Sequence, residues 1–308
     1  MEKILITGIA GGLGRLIAER LLGSARLVGI DHTPWVGHPP EISIITADLR
    51  KRKVEDVFRR ERPDVVVHLG LERHSFDAGL RHDVNVIGTK RLLEFCAAYG
   101  TARVVILTSS YVYGALAENP FYMDEETSLN VSRHYPEIRD LAEVDALATN
   151  FLWRYPEIAT AVLRPVSTLG RHMRSSLATY LRLSVSPMVM GFDPLMQFIH
   201  EDDLAESIIQ AIAAGLRGVF NIVGPGAVPI STAIRESGGT ALALPETATR
   251  FFLQRLFAWG LFPLPADAVD FIKFPCTIDG RRFQHATGMR PARSLDQAFG
   301  CVRQRDAA

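Results

Sequence analysis

The sequence predicts an α/β fold of the Rossmann type, a doubly wound parallel sheet with a smaller C-terminal substrate lobe. Short apolar runs alternate with helical stripes through the first half of the chain. The run over residues 64–69 is almost wholly apolar, which is typical of strands buried on both faces of a parallel sheet. The first apolar run also leads straight into a turn rich in glycine.

The first elements are a strand at residues 4–6, a glycine turn and a helix with apolar residues at helical spacing. Gly8 permits the tight turn, Gly11 lets the backbone approach a pyrophosphate, and Gly14 lets the helix pack closely on the strand. The N-terminus of the helix then presents unpaired N–H groups and a partial positive charge to the phosphates. The pattern therefore indicates a dinucleotide site.

The second strand, over residues 26–30, is closed by Asp31. A carboxylate there can accept hydrogen bonds from the adenosine ribose hydroxyls and would repel a 2′-phosphate, so NAD is favoured over NADP. The alternative is a solvated loop acid. His32 follows at once and weakens the exclusion of NADP, because an imidazole can carry positive charge.

The later elements repeat the alternation. Strands are predicted over residues 42–46, 64–69, 103–108, 159–164 and 219–223, and helices over residues 85–98 and 203–214. This order implies that ligands bind at the carboxyl ends of the strands.

The alternation breaks after Gly170, where prolines become frequent. We predict an NAD-binding domain over residues 1–170, completed by about 197–224, and a smaller substrate-binding lobe from residues 171–196 and 225–308. Because no flexible linker separates these parts, the substrate is expected in the cleft between them.

Bulk properties exclude several classes of function. Lys plus Arg and Asp plus Glu both total 34, so no basic face for nucleic acid is expected. Three cysteines without a CxxC motif suit the reducing cytosol, and the start of a strand at residue 3 leaves no room for a signal peptide. No apolar run approaches the roughly 20 residues of a transmembrane helix. We expect a cytoplasmic protein without a metal site, because no His, Cys and Asp cluster has ligand spacing.

Seven motifs together resemble the extended short-chain dehydrogenase/reductase group, also called the NAD-dependent epimerase/dehydratases, over nearly the whole chain. They are the TGxxGxxG turn at residues 7–14, Asp48-Leu49, the VVHLG segment at residues 66–70, the NVxGT helix start at Asn85, the segment at residues 107–114 that resembles an SSxxVYG strand end, the RPxxxxG element at residues 164–170 and the FIHxxD segment at residues 198–203.

The resemblance implies NAD as the cofactor and a homodimer through the helices near residues 85–98 and 136–154. It implies cofactor contacts from Gly8, Gly11, Gly12, Leu13, Gly14, Asp31, Asp48, Leu49, Leu69, Gly70, Leu71, Asn85, Thr108 and Pro165.

The chemistry of this group depends on a Tyr-x-x-x-Lys pair and a Ser or Thr. The Tyr carries a proton while hydride moves to or from nicotinamide, and the Lys lowers the pKa of the Tyr and holds the nicotinamide ribose. Ser109 takes the Ser or Thr position, where it would hydrogen-bond the reacting oxygen. The alternative is a hydroxyl that caps backbone groups at the strand end.

No lysine of this chain lies four residues after a tyrosine, and the best substitute pair is Tyr135 with Arg139. A guanidinium is larger than an ammonium, planar and permanently protonated, so this replacement is not conservative. Pro136 also forces Tyr135 towards extended geometry. Two interpretations stay open: a catalytic acid with altered geometry, or a packed aromatic residue at a helix entry.

Two further departures concern the substrate. Ser167 stands where nucleotide-sugar enzymes of the group have a ligand-binding Asn, and Met196 stands where they often have an Arg that clamps the diphosphate. Losing that Arg removes a bidentate, charge-assisted phosphate contact. Arg171 and Arg174 would replace it in part, or are solvated loop charges. The expected substrate-side residues are Ser110, Ser167, Arg171, Arg174, Gln197 and His200.

An aromatic-rich segment at residues 251–274 is either core of the small lobe or a substrate lid, a dimer surface or a helix in peripheral contact with a membrane. The sequence favours an NAD-dependent oxidoreductase that acts on the carbinol or carbonyl of a small, apolar, non-nucleotide molecule. The alternatives are a nucleotide-sugar epimerase or dehydratase, and a catalytically silent NAD-binding or redox-sensing protein.

Overall fold

A computed structural model of the protein describes residues 1–72, 77–130, 136–173, 175–258 and 266–303. Numbered along the chain, the elements as far as residue 165 are β1 (Lys3–Thr7), α1 (Gly12–Leu21), β2 (Arg26–Asp31), β3 (Ser43–Thr46), α2 (Arg52–Glu61), β4 (Val65–His68), α3 (Ala78–His82), α4 (Gly88–Tyr99), β5 (Arg103–Leu107), α5 (Pro136–Arg154) and β6 (Ala159–Pro165).

The later elements are β7 (Ser167–Leu169), α6 (Ser176–Leu181), β8 (Val185–Val189), β9 (Leu195–His200), α7 (Glu201–Ala213), β10 (Gly218–Ile222), β11 (Ala227–Pro229), α8 (Ile230–Glu236), β12 (Thr240–Leu244), α9 (Glu246–Ala258), α10 (Asp270–Lys273), α11 (Arg281–Thr287) and α12 (Leu295–Arg303). Short helical turns at Asp83–Ile87, Ser110–Tyr113 and Ala266–Val269 complete the described elements.

The chain forms two compact units, each assembled from three stretches of sequence. Unit 1 comprises Met1–Thr108, Arg139–Arg164 and Ala205–Phe220. Unit 2 comprises Ser109–Ile138, Pro165–Leu204 and Asn221–Ala308. The domain limits predicted from the sequence stay a prediction.

Unit 1 is built on a seven-stranded sheet in the order β10-β6-β5-β4-β1-β2-β3. The strands from β3 across to β6 pair in parallel, so that Leu5 of β1 lies opposite both Val28 of β2 and Val66 of β4. The strand order reverses between β1 and β4, and a doubly wound sheet binds its ligand outside the carboxyl ends of the strands at that point. The predicted Rossmann-type α/β fold is confirmed.

The strands of unit 1 are unbroken apolar runs in the sequence because they are buried in its core. All four residues of β4 are buried, as expected for a parallel strand that is covered on both faces. Helices α2, α4 and α5 pack on the sheet through their apolar stripes, and the rings of Phe58 and Phe95 lie 5.6 Å apart in this layer. The buried residues recur at helical spacing along each of these helices, as expected for a helix that covers one face of a sheet.

The helix predicted over residues 85–98 starts differently in the structure. Asp83–Ile87 forms a turn of π-helix, and α4 begins only at Gly88. The side chain of Asn85 pairs with the backbone of Glu72, and the Thr89 hydroxyl donates to the Asn85 carbonyl. These bonds hold Asn85 out of regular helical geometry, and π-turns inside helices often mark functional sites.

Unit 2 contains a three-stranded sheet in the order β11-β9-β7 and a parallel pair of β12 with β8. The sequence predicted only a proline-rich lobe there. On α9, Leu253 is buried whereas Phe251 and Phe252 are 54% and 51% exposed. This helix therefore contributes to the core and also presents aromatic side chains on the surface.

Candidate cofactor site and active site

The turn between β1 and α1 depends on glycines. Gly8 has a φ of +72°, and a Cβ at that position would lie 2.8 Å from the Cα of Gly70. A Cβ at Gly14 would lie only 2.3 Å from the Gly8 carbonyl oxygen. Side chains at these positions would push β1, β4 and α1 apart, so the glycine spacing reflects close backbone packing.

The N-terminus of α1 presents backbone N–H groups next to this turn. Gly11 is the N-cap residue and supplies no capping side chain, so it leaves the first N–H groups of the helix to another acceptor. Gly12 and Leu13 are the first helical residues. The three positions form a cradle that suits an anion such as a pyrophosphate.

Asp31 ends β2 with a buried carboxylate, and its residue is 8% exposed. One oxygen accepts a hydrogen bond from the Ala10 N–H at 2.9 Å, and the other accepts one from the Thr33 N–H at 2.9 Å. Nδ1 of the exposed His32 lies 3.4 Å from the same carboxylate. Asp31 therefore joins the glycine turn to the loop after β2, with an anionic group at the predicted ribose position.

Asp48 lies in a tight ion pair. The guanidinium of Arg50 donates to both of its oxygens, at 3.0 Å from Nε and 2.6 Å from Nη2, and the Arg50 N–H donates at 2.9 Å. The hydrogen bond from Arg50 lowers the pKa of Asp48 below its usual range. Leu49 next to it is buried. The carboxylate at this predicted cofactor position thus already has a charged partner.

A chain of hydrogen bonds links the ends of β1 and β4. The hydroxyl of Thr7 lies 2.7 Å from Nδ1 of His68, and the Thr89 hydroxyl lies 2.8 Å from Nε2. Because Thr89 donates its own proton to the Asn85 carbonyl, Nε2 of His68 donates to Thr89 and Nδ1 accepts from Thr7. Burial lowers the pKa of His68 to about 4, so this ring is neutral.

Hydrogen bonds to Thr7 and Asn85 hold the segment after β4, residues 69–71, and the residue that follows it. The Gly70 N–H donates to the Thr7 hydroxyl at 3.2 Å, and the Leu71 N–H donates to the Leu69 carbonyl at 2.8 Å. Asn85 then accepts from the Glu72 N–H at 2.7 Å and donates to the Glu72 carbonyl at 2.9 Å. The predicted cofactor residues Leu69, Gly70 and Leu71 therefore lie in a backbone segment that hydrogen bonds hold in place, and Asn85 makes two of these bonds at Glu72.

Thr108 directs its side chain away from solvent. Its hydroxyl donates to Asp145 at 2.9 Å, and Arg164 donates to both oxygens of that carboxylate, at 2.9 Å and 2.6 Å. All three residues are buried. A cofactor contact from Thr108 would thus use its backbone. Pro165, another predicted contact, is the last residue of β6.

Ser109 begins unit 2 and directly follows β5 and Thr108 along the chain. Its hydroxyl accepts from the Tyr111 N–H at 3.3 Å, which makes Ser109 the N-cap of the Ser110–Tyr113 turn. The Ser110 carbonyl accepts from the Cys276 thiol at 3.5 Å. Burial raises the pKa of that thiol to about 12, so it stays neutral.

Tyr111 was not predicted as a site residue. Its hydroxyl lies 2.5 Å from the hydroxyl of Ser167, which was predicted to contact substrate. The Tyr111 ring also stands edge-to-face on Phe271, with 4.9 Å between the ring centres. The sequence held one signal for Tyr111, namely its place between Ser110 and Val112 in the segment that resembles an SSxxVYG strand end.

The predicted catalytic pair is described only in part. Tyr135 lies outside the described residues. The guanidinium of Arg139 lies 3.6 Å from Asp140 and 3.9 Å from Glu143, so its charge is offset by two carboxylates. Asp140 is fully buried and also accepts from Arg81 at 3.0 Å.

Two predicted substrate residues have structural partners within unit 2. The Gln197 amide donates to the Ile278 carbonyl at 3.1 Å and accepts from the Ile278 N–H at 2.7 Å. His200 accepts from the Asp202 N–H at Nδ1, and its Nε2 lies 3.4 Å from the Cys301 sulfur. Both side chains are buried, and their contact with substrate stays a prediction.

The loop after β7 is anchored by Glu201, which the sequence analysis missed. This buried carboxylate accepts from the N–H groups of Arg171 and His172, at 3.0 Å and 3.1 Å. It approaches so closely that a Cβ at Gly170 would lie 2.1 Å from the Glu201 side chain. Arg171 is exposed, and Arg174 lies outside the described residues.

Among the residues that the structure describes, no three His, Cys, Asp or Glu side chains come together as metal ligands would. In the same part of the chain, no helix has both the length and the apolar character needed to cross a membrane.

Comparison with known proteins gives a family and several relatives. Residues 4–223 match the model of the NAD-dependent epimerase/dehydratase family. An uncharacterized protein of Mycobacterium tuberculosis is 28% identical over 97% of this chain and 82% of its own length. Short-chain dehydrogenase/reductase family 42E member 1 of Danio rerio is 28% identical over 69% of this chain and 59% of its own length.

Solved structures share the fold at lower identity. The UDP-glucose 4-epimerase of Thermus thermophilus in complex with NAD is 19% identical, with a TM-score of 0.78 over 99% of this chain and 100% of that one. The dTDP-glucose 4,6-dehydratase of Bacillus anthracis in complex with NAD is 18% identical, with a TM-score of 0.73 over 99% of this chain and 96% of that one.

Proposed function

This chain belongs to the NAD-dependent epimerase/dehydratase family, and from that premise we propose that it is an NAD-dependent oxidoreductase acting on the carbinol or carbonyl group of an apolar, non-nucleotide substrate. When bound, NAD accepts or supplies the hydride in such a reaction. Unit 1 fits this cofactor, because Gly11 at the N-cap of α1 supplies no capping side chain and leaves the first N–H groups of the helix to another acceptor. The N-terminus of α1 would bind the pyrophosphate, and Asp31 the adenosine ribose.

The proposed substrate class rests on the uncharged side chains that contact the turn beginning at Ser109. The side chains that contact this turn include Ser167, Phe271 and the neutral thiol of Cys276. Met196, at the position where related nucleotide-sugar enzymes often have a phosphate-clamping Arg, is buried and 5% exposed. A diphosphate needs charge-assisted hydrogen bonds, whereas an apolar substrate needs only uncharged side chains against which to bury its surface.

The proposal is tested by cofactor binding followed by a substrate panel. The purified protein is titrated with NADH and NADPH to measure binding. Turnover of the ketones with NADH, and of the alcohols with NAD⁺, is followed by nicotinamide absorbance. Conversion of the nucleotide sugars, which can proceed without net redox change, is followed by chromatography of the products. The panel contains apolar ketones and secondary alcohols, with UDP-glucose and dTDP-glucose as the nucleotide-sugar controls. We expect NADH to bind more tightly than NADPH, and turnover only with the apolar compounds.

Two results would contradict the proposal in different ways. Conversion of the nucleotide sugars alone would support the epimerase or dehydratase alternative. Tight NADH binding without turnover of any compound would support a silent NAD-binding or redox-sensing protein.

A homodimer through α4 and α5 is part of the same proposal. Trp153, near the end of α5, is 73% exposed, and Ile87, next to the start of α4, is 41% exposed. Large apolar side chains on these helices suit a contact between two copies. Light scattering should give about twice the chain mass, and Trp153→Glu should shift the protein towards the monomer.

A further inference from the structure

The turn after β5 carries two tyrosines with different surroundings. Tyr113 is fully buried, and its hydroxyl donates to the Asn221 side chain at 2.8 Å. Tyr111 is only half-buried, and its hydroxyl lies 2.5 Å from that of Ser167. Tyr113 is thus part of the core of unit 2, whereas Tyr111 presents a phenol bonded to a second hydroxyl.

We propose that Tyr111 is a catalytic residue that carries the proton to or from the reacting oxygen, with Ser167 as its relay. This inference rests on the proposed oxidoreductase function. It is motivated by the place of Tyr111 two residues after Ser109, in the turn that follows the carboxyl end of β5. The edge-to-face contact with Phe271 fixes the ring, so the phenol is held in one orientation.

The proton transfer balances without any further reagent. In the reducing direction the carbonyl carbon gains the hydride that NADH supplies, and the π bond of the carbonyl breaks. The oxygen then takes the proton of the Tyr111 phenol. Tyr111 regains a proton from the Ser167 hydroxyl, and Ser167 takes one from water. The oxidising direction runs through the same steps in reverse.

A hydroxyl relay needs no neighbouring cation. A Lys in the Tyr-x-x-x-Lys arrangement lowers the pKa of the Tyr through its charge. Arg139, which takes the place of that Lys, lies within 4 Å of Asp140 and Glu143. A phenol that donates its proton to a developing alkoxide is already protonated near neutral pH, so Tyr111 is competent without such a Lys.

The test compares Tyr111→Phe, Ser167→Ala and Tyr135→Phe with Tyr155→Phe as the matched control. Tyr155 also loses only a hydroxyl, and its ring packs on Phe151 with 4.8 Å between the ring centres. The probe is 9,10-phenanthrenequinone, an apolar dicarbonyl. Its reduction by NADH gives the rate, and its dissociation constant in the complex with NAD⁺, which has no hydride to supply, gives a readout without turnover.

We expect Tyr111→Phe to lower the reduction rate about 100-fold, the usual contribution of a general acid. Loss of one hydrogen bond to the quinone oxygen should weaken its binding about fivefold in the NAD⁺ complex. Ser167→Ala should show a smaller loss of rate. Tyr155→Phe should match the parent protein, and NADH affinity and Tm should be unchanged in all variants.

Three results would overturn the proposal. A Tyr111→Phe protein that keeps rate and quinone binding within threefold of the parent would remove Tyr111 from the chemistry. Loss of rate only in Tyr135→Phe would assign the proton to Tyr135. A parent protein that binds NADH but neither binds nor reduces the quinone would contradict the proposed function itself, and with it the role of Tyr111.

Discussion

The imidazole of His68 and the hydroxyl of Thr7 lie 2.7 Å apart and tie β4 to β1 where the strand order of the sheet reverses. Thr7 also accepts from the Gly70 N–H, so its proton points to Nδ1 of the ring. A protonated imidazole has donors at both nitrogens and would lose this bond. The fold at the candidate cofactor site therefore requires a neutral His68.

The free energy of unfolding should decrease in acid because of His68. The pKa of His68 is 6.5 in the unfolded chain and about 4 in the folded protein. The unfolded state therefore binds more protons between these values, and the free energy of unfolding decreases as pH falls from 6.5 to 4. The full loss is about 3 kcal/mol, from a shift of about 2.5 pH units. Urea unfolding at pH 4 to 7.5 measures it.

The control for this prediction is His68→Gln. This variant is less stable at neutral pH, but it has no group that titrates in the window, so its stability should fall less steeply between pH 6.5 and 4. If the free energy of unfolding fell equally with pH in the two proteins, His68 would not be the cause of the pH dependence.

Gly14→Ala should disrupt the candidate cofactor site. Its Cβ would lie 2.3 Å from the Gly8 carbonyl oxygen, so α1 must move away from β1. We expect NADH binding to weaken at least about tenfold, since the helix N-terminus no longer lies where the pyrophosphate binds. Gly300→Ala is the control, because a Cβ in the interior of α12 meets nothing within 4 Å. It should raise stability by about 0.5–1 kcal/mol and leave binding unchanged.

Asp31→Asn removes the charge of this side chain but keeps one acceptor oxygen for one of its two hydrogen bonds. The amide oxygen of Asn can still accept from the Ala10 N–H, so the glycine turn should persist. Removing the negative charge should lower the preference for NADH over NADPH about tenfold, because the repulsion of the 2′-phosphate is lost. Calorimetric titration with both nucleotides measures the ratio, with the exposed Asp56→Asn as control. An unchanged ratio would remove Asp31 from cofactor selection.

Local patterns in the sequence predicted the parts of this protein that depend on short-range geometry. The glycine turn, Asp31 at the end of β2 and the buried strands all follow from periodicity and from backbone sterics within a few residues. The predicted Rossmann fold followed because parallel apolar strands can pair in few ways.

Contacts between distant parts of the chain were not predictable in this way. Ser167 and Gln197 were selected for substrate contact, yet Ser167 pairs with Tyr111 across 56 residues of sequence and Gln197 pairs with Ile278 across 81. Hydropathy and spacing indicate that a side chain is buried or lies at a strand end, but they do not identify the partner. Thr108 illustrates the same limit, because its hydroxyl faces Asp145 in the core.

The buried carboxylate of Asp145 gives a last prediction about how the sheet is held to α5. Arg164 of β6 donates to both of its oxygens, and the two side chains are 5% and 0% exposed. Asp145→Asn keeps the shape of the side chain but removes the negative charge that the buried guanidinium of Arg164 contacts. Breaking a buried pair in this way costs about 3–5 kcal/mol.

An exposed ion pair provides the comparison. Asp56 and Arg59 lie on the surface of α2, and their side chains are 49% and 64% exposed. Asp56→Asn should therefore change the free energy of unfolding by less than about 1 kcal/mol, whereas Asp145→Asn should lose several times that amount in the same urea titration. Adding Arg164→Met to Asp145→Asn should recover part of the loss, because the double variant no longer buries the guanidinium. Equal stability of the single and double variants would show that the lost carboxylate bond to Thr108, rather than the lost ion pair with Arg164, accounts for the effect.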